Sequence, residues 1–474
     1  MHAFDLPLHE QRRQLDAQTV SSAELVDICI ARVTADQELN AWSSFNPQPL
    51  RDAAREADRR LAAGERLPLL GIPMALKDNI EATGFPCGAG TAALAGQAPQ
   101  ADAEVVTRLK AAGAVIAGKL GMHELAMGIT SHNAVTGAVR NPWDRTRSPG
   151  GSSGGSGAAV GAHQIRAALG TDTGGSIRIP AALCGVTGFR PTVGRYANGG
   201  IAPISTTRDT AGPLAATVAD CALIDAVLTG APVTPTPIGL QNLQSLKGLR
   251  IGLPRAPFWR DLEPGVQTSC ESALNTLSNA GVEWVEVDLP GLAELCASAS
   301  FPIVLYEFVR DMRAYLQQRH RGVPLEELIA QVGSTDVRQI VSPLLSGGDI
   351  APAAYQAALT ARAELQALYA RAFETHRVQA LAFPTTARTA ARIGEDETVD
   401  LNGVQIPTFS AFIRQTDPGS TASLPGISLP AGLSNGLPVG LALDGPIGSD
   451  QQLLAIAEVI QAALPPAPQT PIPA

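Results

Sequence analysis

The sequence predicts an α/β protein built on a sheet flanked by helices, and three stretches carry that prediction. A helical pattern over 102–112 runs into AGAVIAGK, whose apolar run is bounded by glycines like a buried strand. LKGLRIGLP, a helical stretch near 263–280 and VEWVEVDLP repeat strand, helix and strand. PGISLPAG and LPVGLALDG return to strand near the C-terminus, ahead of a helix from Asp450 to Leu464. Helix followed by strand points to parallel crossover units.

The chain opens with helices. Ser21 and Glu24 form an S-x-x-E capping box, and Leu25, Ile28, Cys29 and Val33 follow along one face. Leu50, Ala54, Ala57 and Leu61 mark a second helix, which Gly64 stops. In GIPMALKDN the alternation of Ile72, Met74 and Leu76 reads as a strand with Lys77 at its end on the opposite face. Asp78, next in the chain, points away from Lys77 if the alternation continues. A Pro- and Thr-rich stretch, 231–241, is expected to cross the surface between two parts of the sheet. Residues of about 295–400 look like an irregular, mainly helical lobe covering it. The expected organisation is one catalytic domain over 1–474, with N-terminal helices over 1–65 and a catalytic core over 66–230.

Composition narrows the function. The chain has 474 residues, 45% hydrophobic and 17% charged, which suits a folded protein with a large core. A formal net charge of −9 gives no basic footprint for nucleic acid and little attraction to an anionic membrane. The cysteines Cys29, Cys87, Cys184, Cys221, Cys270 and Cys296 are scattered, without metal-ligand spacing, and are expected to be buried thiols. The N-terminus has no apolar leader core and no uncharged apolar run approaches a membrane span, so a cytoplasmic location is expected.

The richest signal is PGGSSGGSGAAVGAHQIRAALGTDTGGSIRIPAALCGVTGFRP over 149–191. Alone, GGSSGGSG could be a flexible linker, but it is embedded in apolar core sequence. A nucleophilic serine needs a base and backbone N–H groups aimed at a developing oxyanion, and glycines let the main chain come close to substrate. The TDTGGS loop meets these needs if it turns from a strand at 165–170 into a helix opening near Ser176, with Pro180 in an early turn.

Taken in order, these motifs resemble the amidase signature family. Lys77 falls in that family's strand-end lysine motif, Ser152 in GGSSGGS and Ser176 in GTDTGGSIRIPA, at the family's intervals. The resemblance extends to GMHELAMGIT, DTAGPLAATVAD and SLPGISLPAG, and is weakest over roughly 230–400. It implies a mostly parallel, twisted, mixed sheet flanked by helices. It also implies a triad in which Ser176 attacks the carbonyl, Ser152, preceded by a cis peptide, relays the proton, and neutral Lys77 is the base. Thr173, Gly174, Gly175 and Ser176 would supply the oxyanion hole, and Asp172 and Arg178 would brace the loop, unless they form only a surface ion pair. Met127, Gly128 and Ile129 are placed beside the nucleophile, with aromatics from around Phe301 to Tyr315 covering the pocket. Neither metal nor cofactor is called for.

Rival motifs are weaker. Gly151 to Gly155 also fits the G-x-S-x-G elbow, which would make Ser153 the nucleophile, but His163, His320 and His376 sit in no matching motif. Ser153 is expected to support the loop instead. His123 and Glu124 begin a zinc-protease pattern whose second histidine is missing, leaving His123 as a loop contact. Within the family the motifs are most similar to bacterial indoleacetamide and mandelamide hydrolases. The expected substrate is a small neutral aromatic or arylalkyl amide; aryl carbamates, anilides and ureido compounds are alternatives on the same triad. The amide-hydrolysing component of a glutamine-dependent tRNA amidotransferase is another, although HELAMG differs from the DEFAMG typical there. No nucleic-acid or membrane partner is expected, and a homodimer is left open.

Overall fold

The computed structural model describes residues 2–232, 246–319, 321–346, 348 and 350–470. The stretch 231–241 lies outside the described residues from 233 onward, as does His320. The expected capping box is present: the Ser21 side chain accepts from Glu24 N–H, and the Glu24 carboxylate accepts from Ser21 N–H at the start of the helix Ser22–Ala35. The second helix, Pro47–Ala62, buries Leu50, Ala54, Ala57 and Leu61 as the spacing requires.

Eleven strands form one sheet among the described residues. Across it lie Trp42–Phe45, Val115–Leu120, Pro73–Lys77, Ala167–Asp172, Thr210–Ala215, Thr187–Arg190, Gly426–Ser434, Leu437–Asp444, Ala380–Pro384, Arg250–Leu253 and Glu283–Glu286. The α/β architecture is as expected, but its pairing is more mixed than a mostly parallel sheet. Among the described residues, parallel pairs occur only around Pro73–Lys77 and around Arg250–Leu253. The middle is antiparallel, and its strands are joined by connections of very different length. One of them is Asn435-Gly436, both at positive φ, a two-residue turn that folds Gly426–Ser434 directly back on Leu437–Asp444.

GGSSGGSG is not a linker: Gly154–Gly161 is a helix with every residue buried. Intrinsic propensity disfavours it, since each interior glycine costs roughly 1 kcal/mol relative to alanine. Packing overrides that preference. A Cβ on Gly155 would lie 2.4 Å from Gly121 O, and one on Gly157 would lie 2.9 Å from Pro180 O. The helix therefore sits closer to its neighbours than any side chain would allow.

The lobe comprises the helices Leu292–Gln318, Leu325–Ala330, Thr335–Val341 and Pro352–His376. The first and last pack through Ile303, Ala299 and Ala358 and a stacked Tyr306–Tyr355 pair with centroids 4.0 Å apart. By length and composition Leu292–Gln318 could cross a bilayer; here its Ile303, Phe308, Met312 and Leu316 are buried within the protein. The lobe ends earlier than the expected boundary near 400. ALAFP, Ala380–Pro384, is a fully buried strand of the main sheet, and a short apolar run of that kind has the same periodicity signal as a piece of buried helix.

Candidate active site

Lys77 is the last residue of a strand buried along its whole length. Its Nζ is hydrogen-bonded to Ser152 Oγ and to Thr171 Oγ1, both at 2.8 Å. No carboxylate lies within ion-pair distance of it among the described residues. Burial pushes the Lys77 amine down to about 7, against the weaker opposing pull of Asp172 and Asp209. Asp78 does face away: its carboxylate accepts from Gly90 N–H at 3.1 Å and lies 3.8 Å from Lys119 Nζ.

Ser152 follows a cis peptide, Gly151–Ser152, and is fully buried. Its carbonyl accepts from His123 N–H at 3.0 Å. Ser153 is also buried, and its hydroxyl is taken up by the Thr171 backbone, donating to Thr171 O and accepting from Thr171 N–H. No histidine is among its hydrogen-bond partners in the described residues.

Ser176 differs from both in being 8% exposed, at the wall of a cavity. The loop before it leaves the strand Ala167–Asp172, and a seven-residue helix, Arg178–Cys184, starts just beyond it. Gly175 has φ +142°, a conformation open to glycine, and a Cβ there would meet Thr416 Oγ1 at 2.1 Å. The backbone N–H groups of Thr173, Gly174, Gly175 and Ser176 have no hydrogen-bond acceptor among the described residues. The loop is held instead by other atoms: Thr416 Oγ1 donates to Gly174 O at 2.7 Å, and Thr173 Oγ1 donates to Asp209 Oδ1 at 2.5 Å.

Asp172 and Arg178 are not a surface pair, because both are completely buried. Asp172 receives Arg178 Nε, Arg190 Nη1 and Ile177 N–H at 3.0 to 3.2 Å. Burial raises its pKa, but the Arg178 and Arg190 guanidiniums outweigh that and hold the carboxyl well below the usual range. Asp209 has no such cation among the described residues, and burial raises it to about 6.

The cavity at Ser176 is lined by Met127, Gly128 and Ile129, as expected, and by Phe301, Val304 and Leu305 of the Leu292–Gln318 helix. The aromatic cover is narrower than expected. Phe308 is buried elsewhere, Tyr306 stacks on Tyr355, and Tyr315 donates to Glu81. Phe409 and Ile413 take part instead, the Phe409 ring lying 5.8 Å from that of Phe301. Besides Ser176 and Thr173, the polar members are Arg208, Asp417 and Ser300; Arg208 is ion-paired to Asp417 and donates to Ser300 Oγ at 2.7 Å. A second, more polar cavity meets the first at Ala126, Thr173 and Ile204 and extends past Thr171, Asn79 and Asp209. Of the residues missed in the sequence, Asp209 opens DTAGPLAATVAD and Asp417 opens DPGSTASLPGISLPAG, two stretches with a family resemblance; Arg208 and Phe409 carry no local signal.

The amidase family model matches residues 24–454. The chain belongs to the amidase family. It is 44% identical to an indoleacetamide hydrolase of Agrobacterium vitis, over 96% of this chain and 97% of that protein. It is 39% identical to a mandelamide hydrolase of Pseudomonas putida, over 98% and 92% respectively. The native peptide amidase of Stenotrophomonas maltophilia superimposes with a TM-score of 0.86 at 30% identity, covering 99% of both chains. This protein is therefore an amidase, a hydrolase acting on linear amides.

Proposed function

We propose that the amidase cleaves neutral aromatic or arylalkyl amides through an acyl-enzyme on Ser176, with Ser152 and Lys77 moving the proton. The observation that carries this reading is a buried lysine without a carboxylate partner, hydrogen-bonded to a buried serine, beside a loop whose N–H groups are unused and whose serine opens to a cavity. Ser176 Oγ attacks the carbonyl carbon as its proton passes to Ser152 and that of Ser152 passes to the Lys77 amine. The N–H groups from Thr173 to Ser176 stabilise the oxyanion. Collapse breaks the C–N bond, the nitrogen takes a proton from Ser152, and Lys77 returns one to Ser152. Water then repeats the sequence on the ester, releasing the acid and restoring Ser176.

The apolar wall supports an aryl group: burial gains roughly 25 cal/mol per Å², whereas a free carboxylate is costly to desolvate. Arg208, the cation lining this cavity among the described residues, is already paired with Asp417, so it offers a substrate carboxylate little. The names of the two relatives, hydrolases of an indolyl and a mandelic amide, support the same class. The kcat/KM for phenylacetamide should exceed that for glutamine or malonamate by at least about 100-fold, or 2.7 kcal/mol. Ammonia release from a panel of purified amides measures this, and equal turnover of the charged amides would refute the pocket assignment.

A further inference from the structure

His123 is fully buried yet has no part in the proposed proton transfer. Its Nδ1 accepts from Ser131 N–H at 3.1 Å, so the hydrogen of the neutral ring belongs on Nε2. Nε2 lies 3.0 Å from Asp336 Oδ2, on the lobe helix Thr335–Val341, a close polar contact at ion-pair distance that is not aligned as a hydrogen bond. The ring fills the space over Gly128, where a Cβ would come within 2.1 Å of Nε2. The neighbouring Glu124 carboxylate accepts from Gly333 and Ser334 N–H at 3.1 and 2.7 Å, immediately before the same helix. Ile340, one turn beyond Asp336, lines the Ser176 cavity together with Met127 and Ile129 of the loop that follows His123.

We propose that His123 and Asp336 form a clasp between the two walls of this cavity, making His123 a specificity-determining positioning residue. The inference rests on the reading that the cavity takes the acyl group. Two walls on separate elements hold a large ring only if their spacing is fixed, whereas a small acyl group needs one wall. Opening the clasp penalises substrates in proportion to acyl size and leaves the proton relay alone.

The test uses Asp336, which is partly exposed and tolerates change better than the buried ring. Asp336→Ala, Asp336→Asn and Ile340→Ala enzymes are assayed with acetamide, phenylacetamide and indole-3-acetamide. In Asp336→Ala, KM for the two aryl amides should rise roughly tenfold or more, the scale of a small misfit in an apolar pocket, with kcat and all acetamide parameters retained. Asp336→Asn, which keeps a polar oxygen beside Nε2, should restore aryl KM most of the way. Ile340→Ala should lower the aryl preference with the clasp intact. A uniform fall in kcat for Asp336→Ala, or unchanged aryl KM alongside a responsive Ile340→Ala, overturns the clasp. An unresponsive Ile340→Ala overturns the acyl-cavity reading beneath it.

Discussion

Ser176→Ala should lower amide turnover by at least about 10⁴-fold, the scale on which losing a nucleophile is felt elsewhere. The substitution removes one oxygen and no packing. Ser176 O still accepts from Ser153 N–H at 3.2 Å, and Gly175 O from Ile179 N–H at 2.8 Å, so the loop keeps its backbone ties. Stability should change by no more than about 1 kcal/mol, since no buried partner loses a hydrogen bond. Ser153→Ala should do the reverse. It strands the Thr171 N–H and carbonyl that Ser153 Oγ now satisfies, at a cost of about 1–3 kcal/mol, while measurable turnover remains. Steady-state ammonia release alongside thermal melts separates the two variants. Near-normal turnover by Ser176→Ala would require another nucleophile.

Lys77→Ala should cost about 10²–10⁴-fold in turnover, the usual worth of a general base. The pH profile is the sharper sign. A base works in its neutral form, so kcat/KM should rise with pH through about 7, where burial has brought Lys77, and then level off. An unperturbed lysine would place that rise more than three pH units higher, at about 10.4. Single histidine replacements should leave the limb where it is. Lys77→Met, which keeps the apolar stem but cannot accept a proton, should remove it. A limb that survives in Lys77→Met, or one that moves on replacing a histidine, would assign the base elsewhere.

The candidate site was legible because its parts lie in short contiguous motifs. Lys77 ends an alternating strand, and the two serines stand in glycine clusters that only a close backbone approach explains. What surrounds them was less legible for physical reasons. The Gly154–Gly161 helix contradicts its own propensity, and only its neighbours, such as Gly121 and Pro180, account for it. Phe409, Ile413 and Asp417 reach the cavity from more than 200 residues away in sequence, with no spacing rule to announce them. The antiparallel middle of the sheet did have a local signal in Asn435-Gly436, a turn that cannot support a parallel crossover. Ala380–Pro384 had only a short apolar run, which fits strand or buried helix equally.

The claim at the centre of this account is that Ser176, and neither of the buried serines, carries the acyl group. Labelling the enzyme with an aryl phosphonyl fluoride and mapping the adduct by peptide mass spectrometry tests it most directly. The account predicts a single adduct on Ser176, with Ser152 and Ser153 unmodified and labelling slowed in Lys77→Met. An adduct on Ser153 with Ser176 free would contradict it.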